Sequence, residues 1–355
     1  MSLQVVPAPV LHDIEPLLPA KLTSIFTVLV DRIKKLFAWI ASLFFGGYLT
    51  PFSDREKREL RDLGITLFED YNSKKPLPLV NLEESTIQIT TKTGEPREKR
   101  CLVASAPYVA GGESEVRIGM MRGKRGNVKK VTFISPKLRQ EETQLERKIL
   151  SGPKKDRIGP KTYFLSDGSA ISLFASNGTV DHYLRKNPSA NKRKIVAGEL
   201  KQLSALWSKG LVHRDIKGNN FVITGQGEVQ LIDFGMTRSL QDAENFCSED
   251  TTVYCVPFGC ENSKKNYDVN PYHIDFHALG NHILNMYAPV YQIARDCKND
   301  AQKFNKHLKT HKLPLLAKIE DPLLREFAEK LMYKYHEIDS EYISAMQAQL
   351  EGNLY

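Results

Sequence analysis

The sequence predicts an α+β chain in which strands gather ahead of helices, with a helical extension in front of both. Three observations carry that prediction. Residues of alternating character, as in Thr86-Ile87-Gln88-Ile89-Thr90, concentrate between about residues 81 and 135. Farther on, apolar residues recur at three- and four-residue spacing, as at Val196, Leu200, Leu203 and Trp207. Before either region, Ile25, Leu29, Ile33, Phe37, Ile40 and Phe44 form a helical stripe of their own.

Composition narrows the class. The 355 residues suffice for two or three domains, and 41% hydrophobic with 26% charged residues is ordinary for a globular protein. A net charge of +8 permits acidic partners, but the basic residues are interleaved with 42 acids, so no specific nucleic-acid binding is expected. Five cysteines, with no CxxC pair, argue against a disulfide framework or zinc cluster and for a reducing, cytoplasmic compartment. Met1-Ser2-Leu3-Gln4 has no basic region leading into an apolar core, so no secretory leader is expected. The apolar run from Leu36 to Leu49 is 14 residues and contains Gly46-Gly47. A spanning helix needs about 20.

In chain order, residues 1–80 read as the helical extension and a linker. The stripe in residues 22–49 suits packing on a protein surface. Its alternative is peripheral membrane contact, with Arg32, Lys34 and Lys35 at the headgroups and Trp39, Phe44 and Phe45 buried. Ser53 and Glu56 make a capping-box pattern that opens a short charged helix, and Gly64 is its expected stop. Lys74-Lys75-Pro76-Leu77-Pro78 reads as the linker. Strands then pair through a turn at Gly94-Glu95-Pro96, with Cys101-Leu102-Val103 returning. Ser135-Pro136 reads as the cap and first position of a helix bearing Leu138, Leu145 and Ile149. Asn187 to Gly210 reads as one long helix ended by Gly210.

The chemistry-bearing stretch follows at once. His213-Arg214-Asp215-Ile216-Lys217-Gly218-Asn219-Asn220 holds an acid, a cation and an amide within six residues, and Asp233-Phe234-Gly235 follows the strand-like run Val229-Gln230-Leu231-Ile232. Phosphoryl transfer needs those groups: a base for the hydroxyl, a cation for the moving phosphate and oxygen ligands for Mg²⁺. The pair of motifs closely resembles the catalytic and metal-binding loops of eukaryotic-type Ser/Thr protein kinases.

That resemblance implies a two-lobed protein kinase-like fold: a small, mainly β lobe over residues 81–174 and a larger, mainly α lobe over 175–355. It implies Asp215 as base, Lys217 on the γ-phosphate of ATP, and Asn220 and Asp233 as Mg²⁺ ligands. Lys217, two residues past the aspartate, is the serine/threonine form of the loop. Arg214 beside the base implies control by phosphorylation. His213 is read as structural. Val109–Val116 is similar to the glycine-rich loop over the phosphates, keeping Gly111 and Gly112 ahead of Val116. Lys130 matches the ATP-anchoring lysine, with Lys129 its competitor and Val128 over the adenine. Glu146 is its matched partner and Glu142 the runner-up.

Leu173 to Ala175 resembles the hinge that binds adenine, with Ser172 as gatekeeper. Tyr254-Cys255-Val256-Pro257-Phe258 resembles the close of the activation segment, with Phe258 where the family has glutamate and Glu261 nearby. Thr251 aligns with the threonine that contacts the base, and Ser248, Thr251, Thr252 and Tyr254 are candidate phosphosites. Asp275 matches the residue that holds the catalytic-loop backbone. His273, His277 and His282 read as helix packing rather than a metal set, and Arg122-Gly123-Lys124-Arg125 as a solvated turn. The expected activity is transfer from ATP to Ser/Thr hydroxyls of proteins. The alternatives are a catalytically silent kinase-like scaffold and a small-molecule kinase.

Overall fold

Ser53 and Glu56 cap one another at the start of the first described helix. The Ser53 amide donates to Glu56 Oε2 at 2.7 Å, and the Glu56 amide donates to Ser53 Oγ at 3.4 Å. The computed structural model describes residues 51–72, 81–90, 96–110, 114–123, 126–136, 142–150, 158–165, 167–240, 253–257 and 272–352. The chain divides into two units, 1–110 with 116–133 and 111–115 with 134–355. The apolar stripe of residues 22–49 and the linker at 74–78 lie outside the described residues.

In the first unit, helix α1 (Asp54–Asn72) runs straight through Gly64, which corrects the expected stop there. The reason is packing: Leu60, Gly64 and Leu67 are buried at four- and three-residue spacing, so tertiary burial outweighs glycine's helix cost of about 1 kcal/mol. Strands β1 (Leu82–Thr90) and β2 (Pro96–Ala104) pair antiparallel from Leu82↔Ala104 to Thr90↔Pro96. Strand β4 (Ser114–Arg122) pairs with β2 at Cys101↔Met121, and the short β3 (Val109–Ala110) also pairs with β4. β5 (Val128–Pro136) follows, giving the order β1-β2-β4-β5.

The expected helical start at Ser135-Pro136 is corrected, because both residues belong to β5. Leu138 lies outside the described residues. Arg122 is buried rather than solvated. Its guanidinium takes both Glu56 oxygens at 2.9 and 2.8 Å and lies 4.5 Å from the Phe52 ring centroid. A buried fork of this kind ties α1 to β4.

The second unit begins with α2 (Glu142–Leu150) and the hairpin β6 (Thr162–Phe164) with β7 (Ala170–Leu173). Thr179 caps α3 (Val180–Lys186). The long helix starts later than expected: α4 is Lys192–Trp207, because Asn191 Oδ1 accepts from the Lys194 amide and sets the cap there. Gly210, at φ +68, turns the chain after it as expected. β8 (Leu211–Val212) pairs with β11 (Arg238–Ser239), and β9 (Phe221–Ile223) with β10 (Val229–Leu231). Helices α5 (Tyr272–Asn285), α6 (Val290–Asp296), α7 (Ala301–Thr310), α8 (Lys312–Leu316), α9 (Pro322–Tyr333) and α10 (Ser340–Leu350) complete it.

One apolar core joins Leu150 of α2, Leu200 and Leu203 of α4, Phe221, Phe234, Leu279 of α5 and Phe327 of α9. Each side chain of this size contributes about 1.5–3 kcal/mol on burial. The loops between β8 and β11 are thereby anchored on a rigid helical base.

Candidate active site

The loop between β8 and the turn Gly218–Asn220 is held from beneath by one carboxylate. Asp275, in the first turn of α5, is wholly buried and accepts from Trp207 Nε1 (2.9 Å), the His213 amide (2.9 Å) and the Arg214 amide (2.8 Å). Burial raises the Asp275 pKa, against the opposing pull of His213, Trp207 and the two amides. Arg214 adopts φ 71, a left-handed backbone that costs a non-glycine residue about 1–3 kcal/mol. Its bond to Asp275 is what holds it there. His213 is structural, as expected: its Nε2 lies 3.2 Å from the Ile232 carbonyl and its ring meets Phe234 edge-on at 5.5 Å.

Above this base the expected residues come together. Lys217 Nζ contacts Asp215 Oδ2 at 2.6 Å. Asn220 Nδ2 donates to the same oxygen at 2.9 Å and to the Asp215 carbonyl at 2.8 Å. Asp215 Oδ2 thus takes both contacts, and the Tyr254 hydroxyl lies 3.5 Å from Oδ1. Such a long contact is weak.

The Ile232 amide donates to the Asn220 carbonyl at 2.9 Å, extending the β9–β10 ladder by one bond and setting Asp233 next to the catalytic loop. Asp233 is exposed and also left-handed, at φ 64, while Phe234 behind it is buried. Glu146 of α2 belongs to this neighbourhood. Burial, with the Asp233 charge adding to it, pushes its carboxyl up to about 7.

Lys130 lies in the first unit, where its ammonium pairs with Glu59 of α1 at 2.8 Å. Sequence order and spacing point to Glu146 as the partner of Lys130, whereas Glu59 lies on a helix upstream of the strand. Val116 and Val128 are half-buried on β4 and β5, and the Tyr108 amide donates to the Val116 carbonyl at 3.0 Å, closing the hairpin. Gly111, Gly112, Ser248, Thr251, Thr252, Phe258 and Glu261 lie outside the described residues. At the hinge, the Leu173 amide donates to Lys161 and the Ala175 carbonyl accepts from Gly178. Ser172 is buried, its hydroxyl 2.7 Å from that of Thr162.

Two residues without a sequence signal, Asn281 and Asn305, hold the segment that contains Tyr254. Tyr254 reaches Asp215. Asn281 Nδ2 donates to the Tyr254 carbonyl at 2.8 Å, and Asn305 Nδ2 to the Val256 carbonyl at 3.1 Å. Asn281 stands inside a largely apolar helix, whereas Asn305 stands in a mostly polar one and is marked only by the apolar neighbours Phe304 and Leu308 on its buried side. His273, His277 and His282 are all buried in α5, and His273 packs on Tyr335 at 4.6 Å. Among the described residues no group of three or more His, Cys, Asp or Glu side chains is set to hold a metal.

Chemically, the site offers one carboxylate, one ammonium beside it, and two hard oxygen donors on adjoining loops. Asn220 spends its Nδ2 hydrogens on Asp215, which leaves its Oδ1 as a donor to a cation. With the Asp233 carboxylate it makes the sparse oxygen set that suits Mg²⁺ shared with a phosphate.

Comparison with known proteins agrees with this geometry. The chain is 26% identical over 227 residues to Ankyrin repeat-containing protein kinase A of Dictyostelium discoideum, covering 61% of this chain and 15% of that protein. It is 29% identical over 168 residues to Serine/threonine-protein kinase WNK8 of Arabidopsis thaliana (46% and 29%). It is 29% identical over 165 residues to Serine/threonine-protein kinase pkpA of Phycomyces blakesleeanus (43% and 25%). The matches thus span less than a third of each relative's own length. The protein kinase domain family matches residues 110–348, two thirds of the chain and all of the site around Asp215. On this match the chain belongs to the protein kinase domain family.

Proposed function

We propose that the protein is an ATP-dependent protein kinase that transfers the γ-phosphoryl group to serine and threonine hydroxyls of protein substrates. The observation that carries this reading is the grouping around Asp215. Lys217 and Asn220 both hold Oδ2 of that carboxylate, which fixes the base beside the cation, and the Tyr254 hydroxyl lies 3.5 Å from Oδ1.

Asp215 orients the acceptor hydroxyl and takes its proton as the oxygen–phosphorus bond forms and ADP leaves. Lys217, already against the base, neutralises charge on the moving phosphoryl group. Asn220 and Asp233 are the residues assigned to Mg²⁺, which when bound offsets charge on the ATP phosphates. Lys130 is assigned to the ATP phosphates, with Gly111, Gly112, Val116 and Val128 around the nucleotide and the remaining backbone groups of Leu173 to Ala175 on the adenine. An exposed pair such as Lys130–Glu59 is worth at most about 1 kcal/mol, so Glu59 gives up the lysine readily. Serine/threonine preference rests on Lys217 and on the printed names of two relatives. Cytoplasmic location rests on the free thiols Cys101, Cys255 and Cys297. Peripheral membrane contact through residues 22–49 is tested by co-sedimentation with anionic vesicles.

The decisive experiment incubates the protein with labelled ATP and Mg²⁺, with a mixed protein substrate, and maps the modified residues by mass spectrometry. Wild type is expected to label serine and threonine, and Asp215→Asn and Asp233→Ala to lose labelling. Equal labelling in all three overturns the reading. Nucleotide binding without transfer favours the scaffold, and transfer only to small hydroxylated compounds favours a small-molecule kinase.

A further inference from the structure

Behind the catalytic loop lies a chain of polar groups that the phosphoryl-transfer reading does not use. Glu199 of α4 and His282 of α5 are both fully buried, with Oε1 and Nε2 2.9 Å apart. The other ring nitrogen of His282, Nδ1, lies 3.2 Å from the Tyr291 hydroxyl of α6. The Gly218 backbone amide also acts on that hydroxyl, lowering its pKa against the larger rise that burial causes. Gly218 opens the turn Gly218–Asn220, between Lys217 and the Asn220 that both grip Asp215.

The turn is packed as tightly as it is bonded. A Cβ on Gly218 would collide with the Asp181 carboxylate and sit 2.7 Å from His282 Cε1. Phe221, just past the turn, stacks on the His282 ring at 6.1 Å. Tyr291 also works from a second side. Its ring lies 4.9 Å from that of Tyr254, whose hydroxyl lies 3.5 Å from Asp215 Oδ1.

Two buried side chains and a half-buried tyrosine, drawn from three helices and gathered against one turn, are costly to assemble without a return. Burial works against the charged form of His282, but Glu199 beside it holds its pKa above the ordinary value. Glu199 is raised in turn by burial, with His282 opposing. The pair thus gives Tyr291 a fixed polar partner and sets the tilt of its hydroxyl.

We propose that Glu199, His282 and Tyr291 form a positioning relay that locks the Gly218–Asn220 turn, and through Tyr254 the Asp215 carboxylate, in the geometry that transfer needs. The proposal rests on the reading of Asp215, Lys217 and Asn220 as the transfer site. None of the three relay residues touches a reacting atom.

The test is Tyr291→Phe, which keeps the ring on Tyr254 and removes the hydroxyl, in the full chain. Two measurements are made: amide hydrogen exchange across residues 215–221, and steady-state kinetics with labelled ATP. Exchange at Gly218–Asn220 is expected to speed by about 10-fold or more, with the melting temperature little changed. Turnover is expected to fall by about 10- to 100-fold with KM for ATP nearly unchanged, as a misplaced but intact site behaves. Glu199→Gln, which keeps an acceptor for His282, is expected to retain protection, whereas Glu199→Leu loses it. Should Tyr291→Phe fail to fold, this glutamate pair decides the question alone. Unchanged exchange in Tyr291→Phe, or equal protection in both glutamate variants, overturns the relay. If wild type transfers no phosphate but exchange responds as described, the relay stands and the kinase reading falls.

Discussion

Asp275 meets three donors with two oxygens inside the helical core, so its loss strands Trp207 Nε1 and two loop amides together. Each buried donor left unpaired costs about 1–3 kcal/mol. Asp275→Ala is therefore expected to lower stability by about 3 kcal/mol or more in urea unfolding, with activity lost alongside. Asp215→Asn belongs to another kind. It keeps the shape and the Asn220 contact, so its unfolding midpoint should match wild type while turnover drops by about 100- to 10,000-fold. A variant of Asp215 that turned over normally would move the base elsewhere. The grouping of Lys217 and Asn220 on Asp215, and the hold of Asp275 on the loop, were legible in the chain, because their motifs are local and shared with a family. Asn281 and Asn305, and the contact between Tyr254 and Asp215, were not, because a lone polar residue says nothing until its distant partner is known.

Helix α1 shows what an element can hide. Its start was legible in Ser53 and Glu56, but its end was not, since Gly64 stops a helix only where nothing packs on it. The same Glu56 also takes the buried Arg122 fork. Burial disfavours its charged form, yet the Arg122 and Ser53 bonds outweigh this and hold the carboxyl below its usual range. Ser53→Ala removes a cap and is expected to cost about 1 kcal/mol. Glu56→Ala also takes the carboxylate from buried Arg122, leaving its charge on the Pro51 and Gly126 carbonyls alone among the described bonds, and is expected to cost about 3–5 kcal/mol. Thermal melts of the two variants decide this ordering, and equal losses would mean that the Arg122 fork carries nothing. α4 makes the converse point. Val196, Leu200, Leu203 and Trp207 were read correctly as its buried stripe, while its start moved to Asn191 because capping geometry, not periodicity, sets a helix end.

Glu146 couples the site to the stability of the whole protein. Its carboxyl, pushed up to about 7 from 4.5, keeps a proton in the folded state that the unfolded chain releases from about pH 4.5 upward. Stability without nucleotide should therefore fall as pH rises from 4.5 to about 7, and Glu146 should add no further loss above that. Urea unfolding at pH 5 and pH 8 should show a smaller drop for Glu146→Gln than for wild type, and identical drops would place the effect elsewhere. The sequence by itself determined the α+β class and the family, because motifs are short-range and the strand and helix periods are written in neighbouring residues. Only the tertiary structure decided that Lys130 meets Glu59, that Arg122 is buried, and that Glu199, His282 and Tyr291 converge on Gly218. Those partners lie tens of residues apart, and burial, which has no short-range signature, sets both their company and their charge.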